Sequence, residues 1–271
     1  MFERFEAFFT GHAYDPHRHD RYAIGYTLSG VQLFRYRGAQ ADSRRGNALV
    51  IHPDELHDGH AGRNAGFCYR MLYVEPHHIR EALQGTAGTL PFVPRAVLDD
   101  DRLIAALRPL LGDLSRPLEP LEIEQGLLNI AEALLGLDPS LVPPRRRTID
   151  LRAVERARTF LDAHHGRVVS ADEIERVSGL DRYNLARQFR NRLGTSPFRY
   201  LIMRRLDRAR TAMLSGTPLA DVAALSGFAD QSHMTRFFKR AFGLPPGRWL
   251  ALQKSSGTKG RRRTPPRLAD P

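Results

Sequence analysis

The C-terminal half of this chain contains one unit written twice. Ile174, Val177, Ser178, Gly179 and Leu180 recur 48 residues later as Val222, Leu225, Ser226, Gly227 and Phe228. One inserted residue then moves the offset to 49. Asp181, Leu185, Arg187, Phe189, Arg190, Gly194, Pro197 and Tyr200 recur as Asp230, Met234, Arg236, Phe238, Lys239, Gly243, Pro246 and Trp249. Matching type and order at fixed spacing restricts this region to two copies of one supersecondary unit. In the first copy Ser170 and Glu173 form a capping-box pattern that starts a short helix. Ile174 and Val177 face its core, Gly179 supplies a turn with a left-handed backbone, and Asp181 caps the next helix. Leu185 and Phe189, four apart, anchor that helix inward. In the second copy Thr217 is the expected cap with Pro218 at the first helical position. Gly227 turns, Asp230 caps, and Met234 and Phe238 anchor. Two helices meeting at a short glycine turn are the arrangement that places the second helix in a DNA major groove.

Charge agrees with that reading. The chain has 271 residues and a net charge of +11, unevenly placed. Residues 1–142 carry 14 Lys and Arg against 19 Asp and Glu, a net −5, whereas residues 143–271 carry 27 against 11, a net +16. A module of +16 repels itself unless a polyanion is near, and nucleic acid is the usual one. With the anchors buried, the first copy turns Arg182, Tyr183, Ala186, Arg187 and Arg190 outward, and the second turns out Gln231, Ser232, Thr235, Arg236 and Lys239. These are base-edge and phosphate partners: Arg pairs bidentately with guanine and Gln with adenine, each good pair discriminating by about 1–3 kcal/mol. Residues 197–214 read as one helix of about 27 Å, long enough to hold two recognition helices about one DNA turn apart.

The stretch from Gly227 to Pro246 (GFADQSHMTRFFKRAFGLPP) is close to a family signature, and residues from about 150 to 250 resemble the DNA-binding domain of the AraC/XylS family of transcriptional regulators. The pattern departs at Leu250, where that family carries arginine. The resemblance implies that Tyr183, Ala186, Arg187, Gln231, Ser232 and Arg236 face bases. With Arg182, Asn184, Arg190, His233, Thr235 and Lys239 they form the expected DNA-binding set.

Leu141-Val142-Pro143-Pro144-Arg145-Arg146-Arg147 has the composition of a linker, since two prolines exclude a helix interior or a strand. It predicts four segments: residues 1–142 as a sensor and dimerisation domain, 143–149 as linker, 150–253 as the DNA-binding domain, and 254–271 as a basic disordered tail. In the first segment residues 22–37 are rich in β-branched and aromatic residues and break at Ser29-Gly30, a hairpin signal. Residues 48–52 and 67–74 read as further strands, so a small barrel or sandwich is expected. From Asp99 onward Leu103, Ile104, Leu107, Leu110 and Leu111, then Leu121, Leu128, Ala131 and Leu135, recur at helical spacing. These two helices either cover the barrel core or form a dimer interface. The expected fold class is α+β in two domains: a small β-domain with two flanking helices, which the resemblance to these regulators implies is a cupin-like β-barrel, then an all-α double helix-turn-helix domain.

The N-terminal half is also similar to the cupin-type effector domain of these regulators, through His17-x-His19, residues 22–26, Gly30 and residues 51–57 (IHPDELH). The resemblance implies a small-molecule effector, with His17, His19, Tyr22, Tyr26, Tyr36 and His57 as candidate effector-binding residues. His17, His19 and His57 together would make a three-imidazole set, but a metal-binding cupin adds a carboxylate where Ala23 and Ile24 stand, so no metal or other cofactor is expected. Hydrogen bonds to the backbone or to a polar effector are the expected role. The aromatic residues Tyr22, Tyr26, Phe34, Tyr36, Phe67, Tyr69 and Tyr73 either line a pocket or fill the core. Arg35, Arg37 or Arg70 would suit an effector carboxylate.

The implied function is that of a sequence-specific DNA-binding transcriptional regulator, not an enzyme. Its expected partners are double-stranded DNA, a small-molecule effector, a second copy in a homodimer, and RNA polymerase. One cysteine, Cys68, excludes an intramolecular disulfide and fits a reducing cytoplasm. No apolar run reaches membrane length, and the N-terminus does not read as a signal peptide. Three rival functions make distinct demands. A cupin enzyme fused to a DNA-binding domain needs a full metal set. A DNA-alkyl repair protein needs an activated thiol, whereas Cys68 lies in a core-like strand. A sequence-blind architectural protein needs no sensor.

Overall fold

The computed structural model describes residues 3–62, 66–84, 86–87, 89–140 and 149–258. These fall into two compact units, Met1–Ala157 with Ser170–Ser196 and Arg158–Val169 with Pro197–Pro271. Seven strands come first among the described residues: β1 (Glu3–Phe9), β2 (His12–His17), β3 (Tyr22–Tyr36), β4 (Ala39–Arg44), β5 (Ala48–Ile51), β6 (His57–Ala61) and β7 (Phe67–Val74). Helix α1 (Pro76–Ala82), strand β8 (Val97–Leu98), α2 (Asp101–Leu111) and α3 (Pro120–Gly136) follow.

These eight strands belong to one sheet built around β3, and it does not close into the expected barrel. The first half of β3 lies between β7 and β5, and its second half pairs with β4 and β6. Residues 22–36 are therefore one long strand and not the expected hairpin. Gly30 is not a turn tip. It follows a register shift between Thr27 and Ser29 in the ladder to β7. There the backbone takes φ +72°, and a Cβ would sit 2.0 Å from the Gly66 carbonyl oxygen, so only glycine fits.

Alternation along β3, with the register shift between Thr27 and Ser29 exchanging its faces, assigns its side chains to two cores. Tyr22, Ile24 and Tyr26 pack with Leu72 and Val74 against α1, α2 and α3 through Ile79, Leu103, Leu107, Leu110, Leu128 and Leu134. Ala23, Phe34 and Tyr36 pack on the opposite face with Leu49, Phe67, Tyr69 and Met71. Arg4 of β1 donates to the carbonyls of Leu110 and Asp113 (3.0 and 3.1 Å), and the buried pair Arg116–Glu122 secures the turn into α3.

The rest is helical: α4 (Leu151–His164), α5 (Ala171–Ser178), α6 (Arg182–Leu193), α7 (Pro197–Leu214), α8 (Leu219–Leu225), α9 (Gln231–Phe242) and α10 (Pro246–Thr258). The second copy starts one residue later than expected, with Pro218 as the N-cap of α8 in place of Thr217. Helix α10 runs past Lys254, so the expected tail begins no earlier than residue 259, and residues 259–271 lie outside the described residues. Residues 141–148, most of the expected linker, also lie outside them. No helix is long and apolar enough to cross a membrane, among the described residues.

Candidate functional site

The second helix of each copy is built as its sequence dictates. In the first copy Ser170 and Glu173 form a reciprocal capping box at the start of α5. Gly179 ends it in the left-handed region at φ 77°, and the Asp181 carboxylate accepts from the Asn184 amide (2.8 Å) to start α6. In the second, Gly227 (φ 82°) makes the turn, where a Cβ would meet the His165 carbonyl oxygen at 2.5 Å. Asp230 then caps α9 by accepting from the His233 amide (2.7 Å). Leu185 and Phe189 on α6, and Met234 and Phe238 on α9, are all buried. Each fully buried phenylalanine contributes on the order of 2–3 kcal/mol of transfer free energy.

The outward faces differ. On α9, Gln231, Ser232 and Lys239 are exposed, and Thr235 and Arg236 are half-buried. His233 departs from expectation. It is 5 % exposed, its Nδ1 accepts from the Ala229 amide (3.4 Å), and its ring packs edge-on to Phe228 and Phe237. It therefore braces the turn and does not face outward.

On α6, Tyr183 (5 % exposed) and Ala186 (7 %) belong to the apolar cluster of the sheet and its helices. Arg182 donates to Glu124 of α3 (2.8 Å) as well as to Glu175 (2.8 Å) and Asp172. Arg187 donates to the carbonyls of Ala82 (2.9 Å) and Gln84 (3.0 Å), at the end of α1. Arg190 pairs with Glu132 (2.9 Å) and donates to the Asn129 side-chain oxygen (3.0 Å). Asn184 accepts from Gln188 (3.1 Å). The pKa of Arg182 is raised, chiefly by its hydrogen bond to Glu175 and then by that to Glu124, and Tyr183 is raised by burial and then by Glu124.

The six candidate effector residues divide between the two faces of the sheet. The register of β2 against β6 sets His17 opposite His57, and β6 against β3 sets His57 opposite Tyr36. The rings of His17, His19 and His57 lie 4.4, 4.9 and 6.1 Å apart, with Tyr14 edge-on to His17 and Tyr73 edge-on to His19. Each Nδ1 lies within hydrogen-bond reach of a backbone carbonyl, that of Asp15 (2.9 Å), Arg21 (2.6 Å) or Glu55 (3.0 Å). A carbonyl oxygen only accepts, so each Nδ1 carries a proton. Burial lowers the pKa of His19 and takes that of His57 down to about 4, holding both neutral.

Beside the trio, Tyr36 and His57 line a cleft of about 310 Å³ with Pro16, Arg18, Arg35, Arg37 and Glu55. Arg37 spans the Tyr36 and Phe92 rings and pairs with Glu55 (2.7 Å). Tyr22 and Tyr26 lie on the helix-facing side, in the other core, and do not join this group. Tyr22 donates to the Pro91 carbonyl, and burial pushes its pKa up to about 12. Among the described residues, no group of three or more His, Cys, Asp or Glu side chains is placed to hold a metal ion. Cys68 is half-buried on β7, and burial raises its pKa, the opposite of an activated thiol.

Residues 1–131 match the AraC-like ligand binding domain, and residues 175–251 match a helix-turn-helix domain. The chain belongs to the AraC family of transcriptional regulators. Among its relatives, the HTH-type transcriptional regulator YbfI of Bacillus subtilis is 28 % identical over 80 % of each chain. The transcriptional activator RhaS of Escherichia fergusonii is 26 % identical over 89 % of this chain and 91 % of its own. Among solved structures, ToxT of Vibrio cholerae aligns with 93 % of this chain and 98 % of its own at 14 % identity and a TM-score of 0.38. This AraC-family regulator carries its ligand-binding domain ahead of the duplicated helix-turn-helix. Sequence reasoning found the arginines of α6 but missed Glu124, Asn129 and Glu132, the groups on α3 that meet them.

Proposed function

We propose that this regulator reads DNA through the exposed N-terminal face of α9, with Gln231, Ser232, Thr235 and Arg236 at base edges and Lys239 on phosphate. The equivalent face of α6, with Arg182, Tyr183, Arg187 and Arg190, would serve the adjacent groove. The observation that carries the reading is the pair of identically capped helices, one with its Gln, Ser and Lys side chains directed to solvent. The chain would act as a homodimer in the cytoplasm and contact RNA polymerase at its promoters. Selection from a random-sequence duplex pool with the full chain tests this. Enrichment of a defined motif supports it, with Gln231→Ala and Arg236→Ala relaxing base preference at particular positions. Uniform recovery of all sequences would favour an architectural protein instead.

The effector would sit in the cleft at His57 and Tyr36. The Nε2 lone pairs of His19 and His57, with the His17 ring beside them, suit a ligand with hydroxyl donors, and Arg18 and Arg35 at the rim suit an anionic end. His17→Phe should abolish the effector response and leave motif recognition unchanged. Retention of the full response in that variant would move the site elsewhere.

A further inference from the structure

We infer that the ligand-binding domain masks the first recognition helix by presenting to it a substitute for the DNA backbone, so that α6 reads DNA only after leaving α1 and α3. The inference rests on the proposed DNA-reading role of α6, and it adds the regulation of that face.

The match between the two surfaces is specific. Glu124 and Glu132 lie eight residues apart on α3, which puts them on one face about 12 Å apart along the axis. Arg182 and Arg190 have the same spacing on α6. Both ion pairs join residues 58 apart in sequence, Glu124 with Arg182 and Glu132 with Arg190, so the helices run in the same direction and in register. Between these pairs, Tyr183 and Ala186 are buried among the apolar side chains of the ligand-binding domain. Arg187 directs its guanidinium at the carbonyls of Ala82 and Gln84, where the last turn of α1 concentrates negative charge. Five of the six side chains assigned to the DNA face of α6 are thus engaged by carboxylates, carbonyls or apolar contacts from one domain. Donors committed to these carboxylates and carbonyls are not available to a phosphate or guanine, and α6 cannot pack through one face on the ligand-binding domain and on a duplex at once, so the two partners exclude one another.

Exclusion sets a cost on binding. If only a fraction of molecules has α6 released, the apparent dissociation constant of the two-groove complex is the intrinsic one divided by that fraction. An effector that favours the released state raises the fraction, provided it binds the two states unequally. Helix α1 follows β7 directly and packs in the same apolar core as Tyr22 and Tyr26, so movement of the sheet has a path to the Arg187 clamp.

The test uses the full chain carrying Glu124→Gln and Glu132→Gln together. A control carries Asp20→Asn and Asp99→Asn, exposed acids that remove the same charge away from α6. Wild type, variant and control are each put through selection from a random-sequence duplex pool without effector. Affinity for the enriched duplex is then measured at fixed salt. Masking predicts that the Glu124/Glu132 variant enriches a motif of two blocks about one turn apart, roughly 10 base pairs, and binds it about tenfold or more tighter than wild type. Wild type and control should enrich one block. Two blocks from all three proteins with equal affinity would overturn the masking and leave the DNA reading standing. No enriched motif from any of them would overturn the DNA reading itself.

Discussion

Helices α6 and α9 each start at an aspartate cap, end at a left-handed glycine and bury a phenylalanine at the same register position. Their environments differ. Ala186 on α6 is 7 % exposed in an apolar cluster, while its counterpart Thr235 on α9 is only half-buried. Tyr183 is buried, and its counterpart Ser232 is exposed. Local sequence thus sets the build of a helix-turn-helix, and tertiary neighbours set whether the outer face of its second helix is exposed. A duplicated motif need not be a duplicated activity at every moment.

The comparison is sharpened first by the property in which the copies should agree. Phe189→Ala and Phe238→Ala each open a cavity in a fully buried site and should each cost about 3–5 kcal/mol, measured by denaturant titration. A cost under about 1 kcal/mol for one and not the other would break the equivalence of build. A smaller effect separates the units by pH. His57, with its pKa taken down to about 4, and His19 and His52, lowered by burial, all lie in the unit that holds the first copy. The unfolded chain binds protons at these sites near pH 6.5 and the folded chain does not, so stability is full above about 6.5 and falls as pH drops toward about 4. The loss due to His57 should be on the order of 2 kcal/mol, and His57→Asn should blunt it. A flat pH profile over that range would contradict the burial of His19, His52 and His57 as neutral imidazoles.

Next come the DNA faces. Gln231→Ala should weaken binding to the enriched duplex by about 1–3 kcal/mol, with relaxed preference at one base pair. Arg187→Ala should cost far less without effector, because that side chain is held by Ala82 and Gln84. Equal losses would mean that both faces are already on DNA. The smallest effect is that of Lys239→Ala, which should weaken all duplexes alike and reduce the salt slope by about 1.

How much of this was legible follows from the range of the interactions. Caps, turns and anchors lie within a few residues of one another, so Ser170, Gly179, Asp181, Gly227 and Asp230 announced both units. The strand β7 and helices α2 and α3 were legible from periodicity alone. Gly30 misled because a bulge and a turn use the same residue. Only the carbonyl of Gly66, brought across by the β3–β7 ladder, distinguishes them. His17-x-His19 announced a cluster, but its division from Tyr22 and Tyr26 depends on which face of β3 each occupies. The pairing of Glu124 with Arg182 spans 58 residues and had no local signal beyond a helical acid. His233 lies on the inward side of α9 because its ring completes the Phe228–Phe237 cluster, a contact outside the helical period.

Thiol labelling compares the two reading faces most directly, with no DNA present. In a Cys68→Ser background, Ala186→Cys and Thr235→Cys place one thiol at matched positions on α6 and α9. Masking of α6 predicts slow modification at 186 and fast modification at 235, with the rate at 186 rising when Glu124→Gln and Glu132→Gln are added. Equal rates at the two positions, unchanged by the glutamate substitutions, would contradict it.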